Sequence, residues 1–182
     1  MQSVKSNELL SNLELQVEKH LASAVRAFQN LSEPDLNQKP PDGGWSIAQC
    51  LEHLNTYGDY YLPRIEKAME KFNGKPSSEF SSTWLGNYFT KMMDPVTGKR
   101  KMKAFAAHVP PSALDGHAVT GKFIQQQETL LQLLRSAKQK DLNKIKIPIS
   151  ISRFIRMKLG DTFRFIIAHN ERHVEQAKRL LI

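Results

Sequence analysis

Histidine is the residue type most able to do chemistry in this chain of 182 residues, and two of its six histidines fall four apart. In Ala168-His169-Asn170-Glu171-Arg172-His173-Val174-Glu175-Gln176 the pair stands at i and i+4, so both rings project from one side of a helix. Ile166 and Ala177 lie about one turn beyond either end of the pair, which places it on the border of an apolar stripe. Two imidazoles so spaced can bring nitrogen lone pairs to within about 2.1 Å of one divalent ion. Taken alone, the same spacing also describes two partly exposed histidines with ordinary hydrogen bonds.

His53 is the third candidate. It lies in Cys50-Leu51-Glu52-His53-Leu54-Asn55, with Tyr57 one turn on, beside the core-facing side of a predicted helix. Metal sites in helical bundles are assembled from facing helices. One histidine from this helix and two from the C-terminal one make a three-histidine set. Three protein ligands leave a coordination position for water or substrate, the pattern of a catalytic site. His20, His108 and His117 fit less well and are expected to be surface or hydrogen-bonding residues. For a general base the sequence offers Glu52, Glu171, Asn170 and Tyr57 and assigns none. Glu52 and Glu171 neighbour the candidate ligands, but adjacent helix positions point about 100° apart.

Four long stretches with helical periodicity must position these residues. The first covers residues 6–31, with Leu10, Leu13, Val17, Leu21, Ala24, Phe28 and Leu31 on one stripe and Pro34 ending it. The second follows the turn cluster at residues 40–44. Ser46 and Gln49 form an S-x-x-Q capping box, with Trp45 and Cys50 at the positions of a hydrophobic staple. It runs to about Phe72, weakened by Gly58 and liable to kink at Pro63. The third covers residues 116–139. The fourth starts near Gly160-Asp161, where Asp161 suits the positive end of the helix dipole, and runs to the chain end. Residues 73–115 form a long irregular crossover with a short helix near 83–93, and such long loops are often functional. Its Trp84, Tyr88 and Phe89 either line the site or pack as a satellite cluster. Residues 142–158 are β-branched and apolar, which predicts an extended edge or strap. With no strand series to compete, the expected fold is an all-α four-helix bundle in a single domain over residues 1–182.

Composition narrows the setting. Apolar residues make up 40% of the chain, enough for a globular core, and the one cysteine, Cys50, excludes an internal disulfide framework. No apolar run approaches the ~18 residues of a membrane span, and the first twenty residues hold no leader-like apolar core. A cytoplasmic protein without a membrane partner is expected. The net charge is +8, spread along the chain and densest at Lys99-Arg100-Lys101-Met102-Lys103. No zinc finger or aromatic RNA-binding box accompanies it, so nucleic acid is not an expected partner.

Two segments together carry a family resemblance. Trp45-Ser46, Gln49 and His53, followed far downstream by Gly160-Asp161 and the H-x-x-R-H-x-x-Q motif of His169, Arg172, His173 and Gln176, resemble the DinB/YfiT superfamily over nearly the whole chain. The resemblance implies an up-down-down-up four-helix bundle and a divalent metal, zinc or nickel, on His53, His169 and His173. It also implies a homodimer and a small-molecule substrate. Relatives include transferases that join low-molecular-weight thiols such as bacillithiol or mycothiol to electrophiles, and others regarded as metal-dependent hydrolases. Three functions are therefore expected as alternatives: a thiol S-transferase, a metal-dependent hydrolase of an amide or ester, and a non-catalytic metal-binding stress-response module.

Overall fold

The computed structural model describes residues 3–41, 43–95 and 103–181. Lys99, Arg100 and Lys101 of the basic run lie outside the described residues. Four long helices account for the four periodic stretches: α1 (Ser6–Ser23), α3 (Ile47–Glu70), α5 (Gly116–Ala137) and α6 (Leu159–Lys178). Two shorter ones, α2 (Glu33–Asn37) and α4 (Trp84–Met93), lie in the connections.

Each boundary has a local cause. The Ser46 hydroxyl accepts from the Gln49 amide and the Gln49 side chain accepts from the Ser46 amide, so the capping box forms as the sequence predicts. Thr83 and Asp115 cap α4 and α5 by a single bond each, their side chains accepting from the Gly86 and Ala118 amides. The first stripe ends differently from expectation. After Ser23 the helix widens into a π turn over Ala24–Phe28, where the Gln29 amide donates to the Ala24 carbonyl at 2.9 Å. Pro34 then sits in the first turn of α2, where a missing N–H costs nothing. Pro63 lies inside α3, which continues through it to Glu70.

The packing is a ring of four. α3 packs against α5 and α6, and α1 packs against the same two helices, which sets α1 opposite α3 and α5 opposite α6. Helices consecutive in the chain are thus diagonal at two of the three steps, and the connections there must span the diagonal of the bundle. Residues 142–158 do so as an antiparallel hairpin, β3 (Lys146–Ile149) with β4 (Ser152–Lys158), irregular at Pro148–Ile149. β1 (Val4–Lys5) pairs with β2 (Glu79–Phe80), joining the strand before α1 to the segment between α3 and α4.

The larger core cluster holds Leu10, Val17, Ile65, Leu134, Phe163 and Ile167, and the smaller holds Phe28, Leu51, Leu54, Phe123 and Val174. Each such side chain, fully buried, contributes about 1.5–3 kcal/mol. α4 is held to α6 by polar bonds as well. Asp161, fully buried, accepts from the Ser82 hydroxyl and from the Thr83 amide and hydroxyl at 3.0 and 2.8 Å. A side chain at Gly86 would collide with that carboxylate, so glycine permits the close approach. No helix among the described residues is long and apolar enough to cross a membrane.

Candidate metal centre

α3 and α6 face each other along two stripes: His53, Tyr57 and Tyr61 on α3, and Phe165, His169 and His173 on α6. Where they meet, the three predicted histidines come together. His53, His169 and His173 each offer one ring nitrogen, and no two of these atoms are more than 4.8 Å apart. The Nε2 atoms of His53 and His169 are 3.1 Å apart. That is near the roughly 3.4 Å separating two ligands of one tetrahedral ion with bonds of about 2.1 Å.

The proton positions follow from the partners. His53 Nδ1 faces the His108 carbonyl at 2.6 Å. A carbonyl only accepts, so Nδ1 carries the proton and Nε2 a lone pair aimed at the group. His173 Nδ1 likewise donates to Gln176 Oε1 at 2.9 Å, freeing its Nε2. His169 is buried, and its Nδ1 has no hydrogen-bond partner among the described residues. Burial is the main cause holding all three rings in the neutral form. It lowers His53 to about 4 and His173 to about 3, each with a smaller contribution from a neighbouring histidine, and His169 lies well below the ordinary histidine range. Neutral imidazoles with convergent lone pairs, two of the three with hydrogen-bonded rear nitrogens, are a donor set suited to a divalent transition-metal ion.

Aromatic rings wall the group. Trp45 lies over His53 and His173, with centroids 4.8 and 5.7 Å away. Tyr57 sits edge-on to His169 at 4.4 Å, and Phe165 stacks on the same ring at 5.9 Å. Burial pushes the Tyr57 phenol up to about 12, so it stays protonated. Tyr57 and Phe165 are also walls of an apolar cleft of about 330 Å³, counting its open mouth, completed by Phe89, Met92, Phe105 and Ile151.

The remaining candidates fall as follows. His108 is not a surface residue: it is buried, and its ring stacks on Tyr57 at 3.9 Å. His20 is buried too, 2.6 Å from the Glu171 carboxylate. His117 is exposed near Glu33. Glu52 accepts from Asn55 at 3.2 Å, and Asn170 donates to Gln127 at 3.0 Å. Trp84 and Tyr88 stack on each other in solvent, while Phe89 reaches the cleft. Sequence reasoning gave Trp45 only the staple role and left His108 outside the site. Trp45 precedes the cap of the helix that carries His53, a signal that could have placed it. His108 sits in an irregular loop with no periodicity to place it.

A family model for the DinB superfamily matches residues 16–177, and the chain belongs to that superfamily. Its fold is similar to the solved structure of YfiT from Bacillus subtilis, described as a probable metal-dependent hydrolase with an unusual four-helix bundle topology. The TM-score is 0.58 at 13% identity, covering 94% of this chain and 85% of that one. At this identity the likeness is one of fold. No curated protein matches the chain.

Proposed function

We propose that His53, His169 and His173 hold one divalent ion, zinc or nickel, and that the chain uses it to transfer a small thiol to an electrophile. The observation that carries this reading is the convergence of three neutral imidazoles beside an apolar cleft. A divalent ion there would favour the thiolate of a bound thiol at neutral pH. The chain's own contribution is to orient the three rings, keep them unprotonated and exclude water with Trp45, Tyr57 and Phe165. The thiol R–SH attacks R′–X, forming the S–C bond as the C–X bond breaks, with H and X leaving as acid. Thiol chemistry is favoured because the carboxylates beside the ligands are engaged elsewhere, Glu171 with His20 and Glu52 with Asn55. Thiol activation by a metal needs no separate carboxylate base.

The fold shared with YfiT supports a second reading, metal-dependent hydrolysis of an amide or ester. The up-down-down-up helix directions, a homodimeric state and a cytoplasmic location belong to the same proposal.

Elemental analysis of tag-free wild type beside His173→Ala tests the metal. About one ion per chain, lost in the variant, is the expected result. No metal in the wild type after reconstitution leaves a non-catalytic bundle. Electrophile conversion that requires both metal and added bacillithiol or glutathione then supports transfer. Metal-dependent ester cleavage without thiol supports hydrolysis instead.

A further inference from the structure

The segment from Phe105 to Pro111 is clipped to one face of α3 at three positions, and the central clip is the candidate ligand His53. Gln49 donates from Nε2 to the Pro111 carbonyl at 3.1 Å, and His53 donates from Nδ1 to the His108 carbonyl at 2.6 Å. Thr56 Oγ1 lies 2.9 Å from His108 Nδ1 and donates to the His53 carbonyl at 2.7 Å. A hydroxyl has one proton. With it on the His53 carbonyl, the contact to His108 forms only if His108 Nδ1 is the donor. The three bonds then close a ring: His53 side chain to His108 backbone, His108 side chain to Thr56 hydroxyl, Thr56 hydroxyl to His53 backbone.

We infer that Thr56 and His108 are positioning residues for His53. They hold the His108 carbonyl against Nδ1, fix the proton there and keep the Nε2 lone pair aimed at His169 and His173. The Phe105–Val109 turn supplies the rigidity this requires. The His108 amide donates to the Phe105 carbonyl at 2.8 Å, and the His108 ring stacks on Tyr57. Without the side-chain clip the carbonyl is still present in the chain, but the nearest other hydrogen bond from α3 to this segment is then the Gln49 bond to Pro111, three residues away, which leaves the His108 carbonyl free to move against the imidazole. Contacts that orient a metal-binding imidazole commonly change metal affinity by 10–100-fold when removed. The consequence for metal rests on the reading above; the tautomer of His53 does not.

Two readouts separate those claims. In metal-free, ¹⁵N-labelled protein at neutral pH, imidazole nitrogen shifts report the His53 tautomer. Wild type and Thr56→Ser are expected to show the proton on Nδ1, and Thr56→Val and His108→Ala a mixture of tautomers. Cobalt(II) titration against a competing chelator is then expected to show one site in all four proteins. Affinity should fall roughly 10-fold or more in Thr56→Val and His108→Ala and stay near wild type in Thr56→Ser. An altered cobalt absorption spectrum should accompany the loss. If His53 keeps a single Nδ1–H tautomer in both Thr56→Val and His108→Ala, the positioning role is overturned. Wild type that binds no cobalt yet shows the expected tautomer pattern supports the clip and overturns the metal reading. His108→Ala keeps the test decisive should Thr56→Val fail to fold.

Discussion

The Nε2 atoms of His53 and His169 lie 3.1 Å apart although 116 positions separate the residues. His53 Nε2 carries a lone pair, since its proton is on Nδ1. Without a metal, His169 must donate from Nε2, which leaves its buried Nδ1 bare. With a cation between the rings, both lone pairs turn to it. The prediction is that metal stabilises the fold through these ligands. Zinc at about 100 times its Kd should add about 2.7 kcal/mol to wild-type stability. His53→Ala, His169→Ala and His173→Ala should each lose most of that increment. Chemical denaturation with zinc and with chelator measures it, and an equal zinc effect in all three variants would falsify the ligand set.

The chelated protein should lose stability on acidification. His53 is lowered to about 4 and His173 to about 3, from an ordinary value near 6.5. Between those values the unfolded chain binds more protons than the folded one, so unfolding becomes easier as pH falls. Stability from this source is complete above about pH 6.5 and is lost toward pH 4, by roughly 2–4 kcal/mol for the coupled rings. Urea midpoints across that range should fall for wild type and much less for the His53→Ala, His173→Ala double variant. Parallel curves for the two proteins would reject this source.

Much of this site was legible because helices make spacing visible. His169 and His173 at i and i+4 share a face before any fold is known, and His53 shares a stripe with Tyr57. The capping box at Ser46 and Gln49 was equally readable, since its two bonds need only local residues. What escaped was built from sequence-distant backbone. The His108 carbonyl reaches His53 across 55 positions, from a turn whose sequence carries no periodic signal. The β1–β2 pair is two residues long on each side, too short for alternation to appear. α2 was hidden because Pro34 reads as a terminator of the preceding helix and acts as an initiator of the next.

Cys50 should be chemically silent. It is fully buried, and burial pushes its thiol up to about 12, so almost no thiolate exists at neutral pH. A disulfide reagent should label it only on the timescale of unfolding, and Cys50→Ala should leave metal content unchanged. Rapid native labelling would contradict this, and would reopen Cys50 as a nucleophile in place of an added thiol.

Gly86→Ala should loosen α4 without touching the metal. The added methyl meets the Asp161 carboxylate, which is pinned by Ser82 and Thr83 and cannot withdraw freely. Overpacking of this kind costs about 1–3 kcal/mol. A lower denaturation midpoint with unchanged metal stoichiometry is expected. An unchanged midpoint would mean that α4 shifts at no cost.

The cleft should select for apolar, uncharged substrate groups. Its walls come from α3, α4, α6, the β3–β4 hairpin and Phe105, and Phe89 and Met92 on α4 share it with Ile151 near the hairpin turn and Phe165 on α6. Methionine and aromatic side chains adapt to the shape of a ligand but give an ionised group no partner. Met92 is partly buried and unbranched, so glutamate fits its volume while bringing charge to the cleft. Met92→Glu should therefore raise KM for an apolar electrophile by at least about tenfold, the cost of roughly 1.4 kcal/mol in binding. Metal affinity should not change, because Met92 lines the cleft while His53, His169 and His173 do not. The informative comparison is a series of electrophiles of rising alkyl length assayed on both proteins. Wild type should gain with each methylene until the cleft is filled, and the variant should gain little. Equal slopes in the two proteins would place the substrate outside this cleft.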